Sequence, residues 1–275
     1  MLKIGLAGCG RMGAGMLRAL CRAGFDAHGF DVRPATDFPG LPVTNDVDHF
    51  AADLHTLISV VRDIEQTEDV LFAAQALATR APLQRVILCS TLSPNYLRAL
   101  PDRLPGHITL IDAPMSGAQV AADEARLSFM LGGTPQALDA AQPLFDAMGA
   151  HFHRMGAFCA GMQAKVLNNL LAASHTAMTR LVLDWGDATG LDPAKLLALI
   201  ATSSGQNWFA SGFDDIEFAR DGYDADNTIG IVVKDIDSAL DAAPPGARTA
   251  LPDAVKDAIA RLTPRTETDP KGLDL

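Results

Sequence analysis

The sequence is poor in the features that mark most special classes of protein. No uninterrupted apolar run reaches the roughly 18 residues that a membrane-spanning helix needs. The apolar N-terminus is broken by Arg11, Arg18 and Arg22, and by glycines where a signal peptide requires continuity. No membrane partner is expected, and the cytoplasm is the default location. Basic residues are in deficit: 22 Lys and Arg stand against 33 Asp and Glu, a formal charge of −11 that repels phosphate and makes nucleic acid a poor partner. The four cysteines, Cys9, Cys21, Cys89 and Cys159, form no C-x-x-C pair, which suits four buried thiols in a reducing compartment rather than a disulfide framework or zinc site. The seven histidines are scattered and H-E-x-x-H or H-x-x-E patterns are missing, so no metal is expected. His151 and His153 alternate as surface or strand residues do. Internal repeats and low-complexity tracts are missing as well.

What is present is the composition of a globular enzyme, 48% apolar and 20% charged over 275 residues, enough to build two domains. Residues 2–7 form a short β-type run that leads into glycines, and Met12–Ala23 then carries helical spacing. Further strands are predicted at Ala27–Asp31, Leu57–Val61, Val86–Ser90, Ile108–Ile111 and Leu127–Leu131. Between them lie helices over Ile64–Thr79 and over Pro135–Met148, the latter capped by Thr134 with proline in its first turn. Strands alternating with helices predict an α/β doubly wound parallel sheet in a first domain, residues 1–158. From Gly161 to Thr189 the apolar residues recur in helical register with no proline, which predicts one long helix. Gly190 fits the position after its end, and Asp192 with Pro193 starts the next helix. Helices over Ile229–Ala242 and Pro252–Leu262 complete an all-α second domain, residues 159–262. Residues 263–275 have the composition of a flexible tail.

Gly8-Cys9-Gly10-Arg11-Met12-Gly13 is a G-x-G-x-x-G that follows a strand and opens a helix. Gly8 permits a tight turn, Gly10 lets a pyrophosphate approach the backbone, and Gly13 allows close helix packing; the helix N-terminus offers N–H groups to phosphate. Asp31, ending the second strand, stands where a carboxylate accepts hydrogen bonds from an adenosine ribose, which favours NAD over NADP. Arg33 could instead pair with a 2′-phosphate. The polar turns Ser90-Thr91 and Asp112 to Gly117 follow later strands, where open α/β sheets bind ligands. Ser116-Gly117 reads equally as a carboxylate-binding turn or as turn filler. Lys165 and Asn169 share a face of the long helix, with Asn168 nearby. A helical lysine is usually a solvated charge, but the apolar neighbours Met162, Val166 and Leu167 leave open a desolvated amine suited to proton transfer.

The stretches GLAGCGRMGAGM (5–16), STLSP (90–94), DAPMSG (112–117), GMQAKVLNN (161–169) and KD (234–235) occur in an order that resembles the β-hydroxyacid dehydrogenases across nearly the whole chain. The resemblance implies a Rossmann-like domain joined by a long helix to an all-α substrate and dimerisation domain, and a homo-oligomer. It implies hydride transfer between NAD(P) and a small 3-hydroxy acid or its semialdehyde. By the same resemblance Lys165 is the catalytic acid/base, Asn169 orients the substrate, and Ser116 and Gly117 bind its carboxylate. Thr91 lies by the nicotinamide, Lys234 near the cofactor, and Val61 and Arg62 line the adenosine side. Ala118 departs from the Ser-Gly-Gly that family members often carry. Asn168 stands where 6-phosphogluconate dehydrogenases have histidine, and Lys165 where related imine reductases have replaced the lysine. The alternative reading is a noncatalytic nucleotide-binding protein that retains the fold.

Overall fold

Alternating strands and helices follow one another from the N-terminus of the computed structural model, which describes residues 3–216, 219 and 230–265. In chain order they are β1 (Lys3–Ala7), α1 (Arg11–Arg22), β2 (Ala27–Phe30), β3 (Val43–Thr44), α2 (Val47–Ala51), β4 (Leu54–Ser59), α3 (Ile64–Leu71), α4 (Leu77–Arg80), β5 (Arg85–Leu88), α5 (Pro94–Ala99) and β6 (Thr109–Asp112). Then come β7 (Met115–Ser116), α6 (Gln119–Asp123), β8 (Leu127–Gly132), α7 (Pro135–Met148), β9 (Gly149–Gly156) and α8 (Ala160–Ala188). After α8 the described elements are all helical: α9 (Pro193–Ala201), α10 (Trp208–Ser211), α11 (Gly230–Asp241) and α12 (Ala250–Ala260). The chain divides into two compact units, residues 1–165 and 166–275, the division falling within α8.

In the first unit the strand order is β3-β2-β1-β4-β5-β6-β8-β7, with β9 beside β8. The strands from β3 to β6 are parallel, as the sequence pattern predicts; β8 runs antiparallel to β6 and β7. Successive side chains of a strand face opposite sides, so Leu6, Ile58, Ile87 and Ile111 pack into one apolar cluster with α1 and α7. Ala7, Leu57, Val86 and Leu88 pack into the other, with Phe50, Leu71, Leu77 and Leu97. Both faces are covered, which is why these strands read as continuous apolar runs.

Several parts of this unit differ from the sequence expectation. The helix expected over Ile64–Thr79 is broken into α3 and α4, with Ala76 left-handed at φ 48° between them. Leu71 and Leu77 are both buried, yet an unbroken helix would point them about 120° apart; the break lets both reach the core. The strand expected at Leu57–Val61 is Leu54–Ser59, because it ends level with its neighbours and Val60-Val61 turns away beside Gly8. The strands β3 and β7 have only two residues each, too few for a period to register.

In the second unit α8 continues to Ala188, and Gly190 takes a left-handed φ of 76°. Asp192 caps α9 by accepting the N–H groups of Ala194 and Lys195. The apolar clusters are small: Ala173, Ile236, Val255 and Ile259 in one, Leu183, Phe209, Phe213 and Ala219 in the other. Leu167, Leu171, Met178, Leu181 and Trp185 of α8 are exposed. Of the stretch expected to be a flexible tail, Thr263 accepts a hydrogen bond from Arg180, and Arg265 pairs with Asp184 and Asp187; residues 266–275 lie outside the described residues. No described helix is long and apolar enough to cross a membrane.

Candidate active site

Register brings the sequence-predicted cofactor residues of the first unit to one edge of the sheet. Ala7 stands opposite Phe30 and Ser59, Ser59 opposite Leu88, and Leu88 opposite Asp112. Five strands therefore end at one level, with Gly8, Asp31, Val60, Cys89 and Ala113 the next residues. The order reverses direction between β1 and β4, the switch point at which such sheets open a crevice for a ligand.

The glycines do different work there. Gly8 has a φ of 93°, and a Cβ on it would stand 2.7 Å from the Val60 carbonyl oxygen and 3.1 Å from Val61. A Cβ at Gly13 would stand 1.9 Å from the Gly8 carbonyl oxygen, so only glycine lets α1 begin so close to the turn. Around Gly10 nothing lies within 4 Å of that position, and no side chain caps α1. A helix start with open space above it and no acid in its first turn fits a pyrophosphate. Arg11 lies exposed and donates through Nε to Gln119, while Met12 is half-buried.

Asp31 is 8% exposed, and its Oδ2 accepts the Cys9 N–H at 2.9 Å. Arg33 folds onto the same carboxylate, Nε to Oδ1 at 3.0 Å and Nη2 to Oδ2 at 3.2 Å, with its guanidinium 4.7 Å from the Phe38 ring. Burial alone would raise the Asp31 carboxyl. The hydrogen bonds and charge of Arg33 and the Cys9 N–H outweigh it and hold the group below its usual range. Arg62 begins the next turn, its N–H donated to Gln66, and Thr91 is half-buried just beyond β5.

Ser116 ends β7 opposite Ser128, and Gly117 turns at φ 131°, where a Cβ would stand 2.8 Å from that of Ala121. Ala118 has φ −73° and ψ 178°, backbone that any residue adopts, so its departure from glycine is tolerated by the chain. The turn is fastened to the cofactor helix, because a Cβ at Gly15 of α1 would stand 2.8 Å from the backbone of Ala122 in α6. Lys165, the last residue of this unit, is 8% exposed. Among the two readings left open by the sequence, the solvated one is thereby excluded.

In the second unit Asn169 donates through Nδ2 to Asp235 at 2.6 Å, and Lys234 stands 3.5 Å from the other oxygen of Asp235. Two carboxylates escaped selection from the sequence. Asp235 is buried on α11, and Asp112 is wholly buried at the end of β6, accepting the N–H groups of Cys159 and Met162. Burial pushes the Asp112 carboxyl up, and those N–H donors draw it back in part. The quoted stretches DAPMSG and KD held both residues, but nothing in either stretch names a partner.

Comparison with known proteins agrees with this geometry. The family model for the NAD binding domain of 6-phosphogluconate dehydrogenase matches residues 3–160, and that for the NAD-binding of NADP-dependent 3-hydroxyisobutyrate dehydrogenase matches residues 159–267. The chain is 32% identical over 249 residues to L-threonate dehydrogenase from Cupriavidus necator, covering 87% of this chain and 83% of that one. It is 34% identical over 215 residues to NAD-dependent L-serine dehydrogenase from Pseudomonas aeruginosa, covering 76% and 72%. Among solved structures, 3-hydroxyisobutyrate dehydrogenase from Mycobacterium tuberculosis with L-serine superposes with a TM-score of 0.78 at 26% identity, over 94% of this chain and 93% of that one. The Salmonella typhimurium 3-hydroxyisobutyrate dehydrogenase gives 0.83 at 22% identity, over 94% and 93%, which speaks for the fold. With two cofactor-domain models spanning the chain and relatives above 30% identity over most of it, the chain belongs to the β-hydroxyacid dehydrogenase superfamily.

Proposed function

We propose that the protein oxidises a small 3-hydroxy acid, or reduces its semialdehyde, with Lys165 as the acid/base. The observation that carries this reading is the burial of Lys165. A lysine held out of bulk water on the helix that follows the strand ends is placed to exchange a proton with a substrate hydroxyl rather than with solvent. When bound, NAD(P) supplies the hydride acceptor. As hydride leaves the carbinol carbon, Lys165 Nζ takes the hydroxyl proton and a carbonyl forms; in reduction Nζ returns it. Ser116 and the backbone of Gly117 hold the substrate carboxylate. Asn169 orients the hydroxyl, its amide aligned by Asp235, and Lys234 and Thr91 serve the cofactor. Gly8, Gly10, Arg11, Met12 and Gly13 cradle its pyrophosphate, Val61 and Arg62 border its adenosine, and Asp31 selects NAD.

A noncatalytic nucleotide-binding role is the rival reading, and hydride transfer decides between the two. The test is turnover of a panel of small 3-hydroxy acids and semialdehydes with each cofactor, followed by nicotinamide absorbance. Positioned acid/base catalysis is worth about 10²–10⁴-fold, so Lys165→Ala should lose at least about 10² in kcat with cofactor affinity little changed. Lys165→Arg should fail too, since a guanidinium stays protonated. Near-wild-type turnover in either folded variant would remove Lys165 from the mechanism.

The proposal extends to assembly and location. Residues 161–183 contain no acid in a chain of formal charge −11, and five large apolar side chains of α8 are exposed, a face suited to a second copy of the chain. Four unpaired thiols suit the cytoplasm.

A further inference from the structure

Asp112 is wholly buried, yet neither the cofactor contacts nor the proton transfer proposed above uses it. Its carboxylate joins two distant parts of the first unit. Oδ1 accepts the Cys159 N–H at 2.8 Å and Oδ2 the Met162 N–H at 2.6 Å, so both oxygens hold the chain where it enters α8. Met162 then reaches the loop beyond β5, its sulfur accepting the Leu92 N–H at 3.3 Å. Arg98 of α5 donates to Gln163 at 3.2 Å, a third tie to the same helical turn.

The surrounding backbone is shaped around this joint. A Cβ at Gly132 would stand 2.1 Å from Asp112 Oδ1, and one at Gly161 would stand 2.2 Å from the Met130 carbonyl oxygen. Cys159 holds a left-handed φ of 79°, a conformation unfavourable for a residue with a side chain, and its N–H points into the carboxylate. Strain and glycine are both concentrated where α8 meets the strand ends.

Short lengths of chain separate this joint from two functional positions. Ser116 and Gly117 follow Asp112 by only four and five residues, at the end of β7, and Lys165 follows Met162 within one turn of α8, about 4.5 Å along its axis. We propose that Asp112, with Met162, is a positioning pair that fixes the separation between the carboxylate-binding turn and Lys165, and thereby sets which spacing of carboxylate and hydroxyl the enzyme accepts. The inference rests on the roles given above to Lys165 and Ser116.

Asp112→Asn is the direct test. Both carboxylate oxygens face N–H donors, so the asparagine NH₂ must oppose one of them whichever way the amide flips. Shape is kept and the clamp is loosened. Wild type and variant are assayed with 3-hydroxypropanoate and 4-hydroxybutanoate, and cofactor Kd is titrated by fluorescence. Misplacement by a fraction of an ångström should lower kcat/KM for the shorter acid roughly ten-fold and its preference over the longer acid about five-fold, with cofactor Kd within about two-fold of wild type. An unchanged preference would overturn the proposal, whether or not turnover falls, because a purely structural role lowers both substrates alike.

Should Asp112→Asn not fold, Met162→Leu conserves volume and removes the sulfur acceptor. The same loss of preference is expected from it, and its absence counts equally against the pair. Lys165→Ala in parallel separates the two ideas. If that variant keeps wild-type turnover, the role of Lys165 fails, and this inference with it. If it is inactive while the preference of Asp112→Asn is unchanged, only the positioning role fails.

Discussion

The carboxylate of Asp31 supports the glycine turn through the Cys9 N–H and at the same time holds Arg33 in place. An incoming ribose must therefore compete with a guanidinium that already occupies both oxygens. The negative charge still repels a 2′-phosphate, and Arg33, half-exposed, offsets part of that repulsion. NAD should give the higher kcat/KM, and Arg33→Ala should widen the gap by weakening NADP selectively. Preference for NADP in the native chain, lost in Arg33→Ala, would assign the selectivity to the arginine instead. Lys165 shows how far a single residue can be read. Its apolar neighbours allowed either a solvated or a buried amine, and only the folded surroundings chose between them. Asp112 was beyond reading, because its partners are backbone N–H groups 47 and 50 positions away, which have no signature in the residue types that bear them.

At the scale of elements, the glycine turn and α1 separate folding from binding. A Cβ at Gly13 meets the Gly8 carbonyl oxygen, so Gly13→Ala should cost about 1–3 kcal/mol or more and lower Tm by several degrees. Gly10 has an ordinary φ of −70° and open space, so Gly10→Ala should leave Tm unchanged while obstructing the pyrophosphate and weakening cofactor binding. Thermal melts and fluorescence titrations of the two variants distinguish these outcomes; a Gly10→Ala protein that binds normally would place the phosphates elsewhere. This element was legible because glycine roles depend on backbone shape alone, which the G-x-G-x-x-G spacing specifies. The long helix α8 was legible for a similar reason, a sustained apolar period without proline. The break between α3 and α4 was not, since it answers to where Leu71 and Leu77 must go in the core. Nor was β9, whose largely exposed residues lack a strand's apolar alternation.

For the whole molecule, acidic charge and apolar surface are unevenly shared. If the exposed face of α8 joins two copies, light scattering should report a dimer or larger assembly, and Met178→Glu should shift it toward monomer without unfolding. A monomeric wild type at assay concentration would leave that face without this role. The four thiols extend through the chain with one property in common. Burial pushes Cys9 up to about 12 and Cys159 to about 11, and raises Cys89 and the half-buried Cys21 as well. Thiolate is the nucleophile, so iodoacetamide at neutral pH should leave native protein unmodified long after the same protein in urea carries four adducts, as intact mass would show. Rapid alkylation of folded protein would contradict this burial. Cys9 sits inside the glycine turn itself, hydrogen-bonded by its N–H to Asp31 and packed by its sulfur beneath Gly29. With opening fast relative to alkylation, its labelling rate consequently gauges the fraction of time the turn is open. Saturating dinucleotide at 100 times Kd should slow that rate about 100-fold, giving the native chain an internal gauge of cofactor occupancy that needs neither a substrate nor an engineered label.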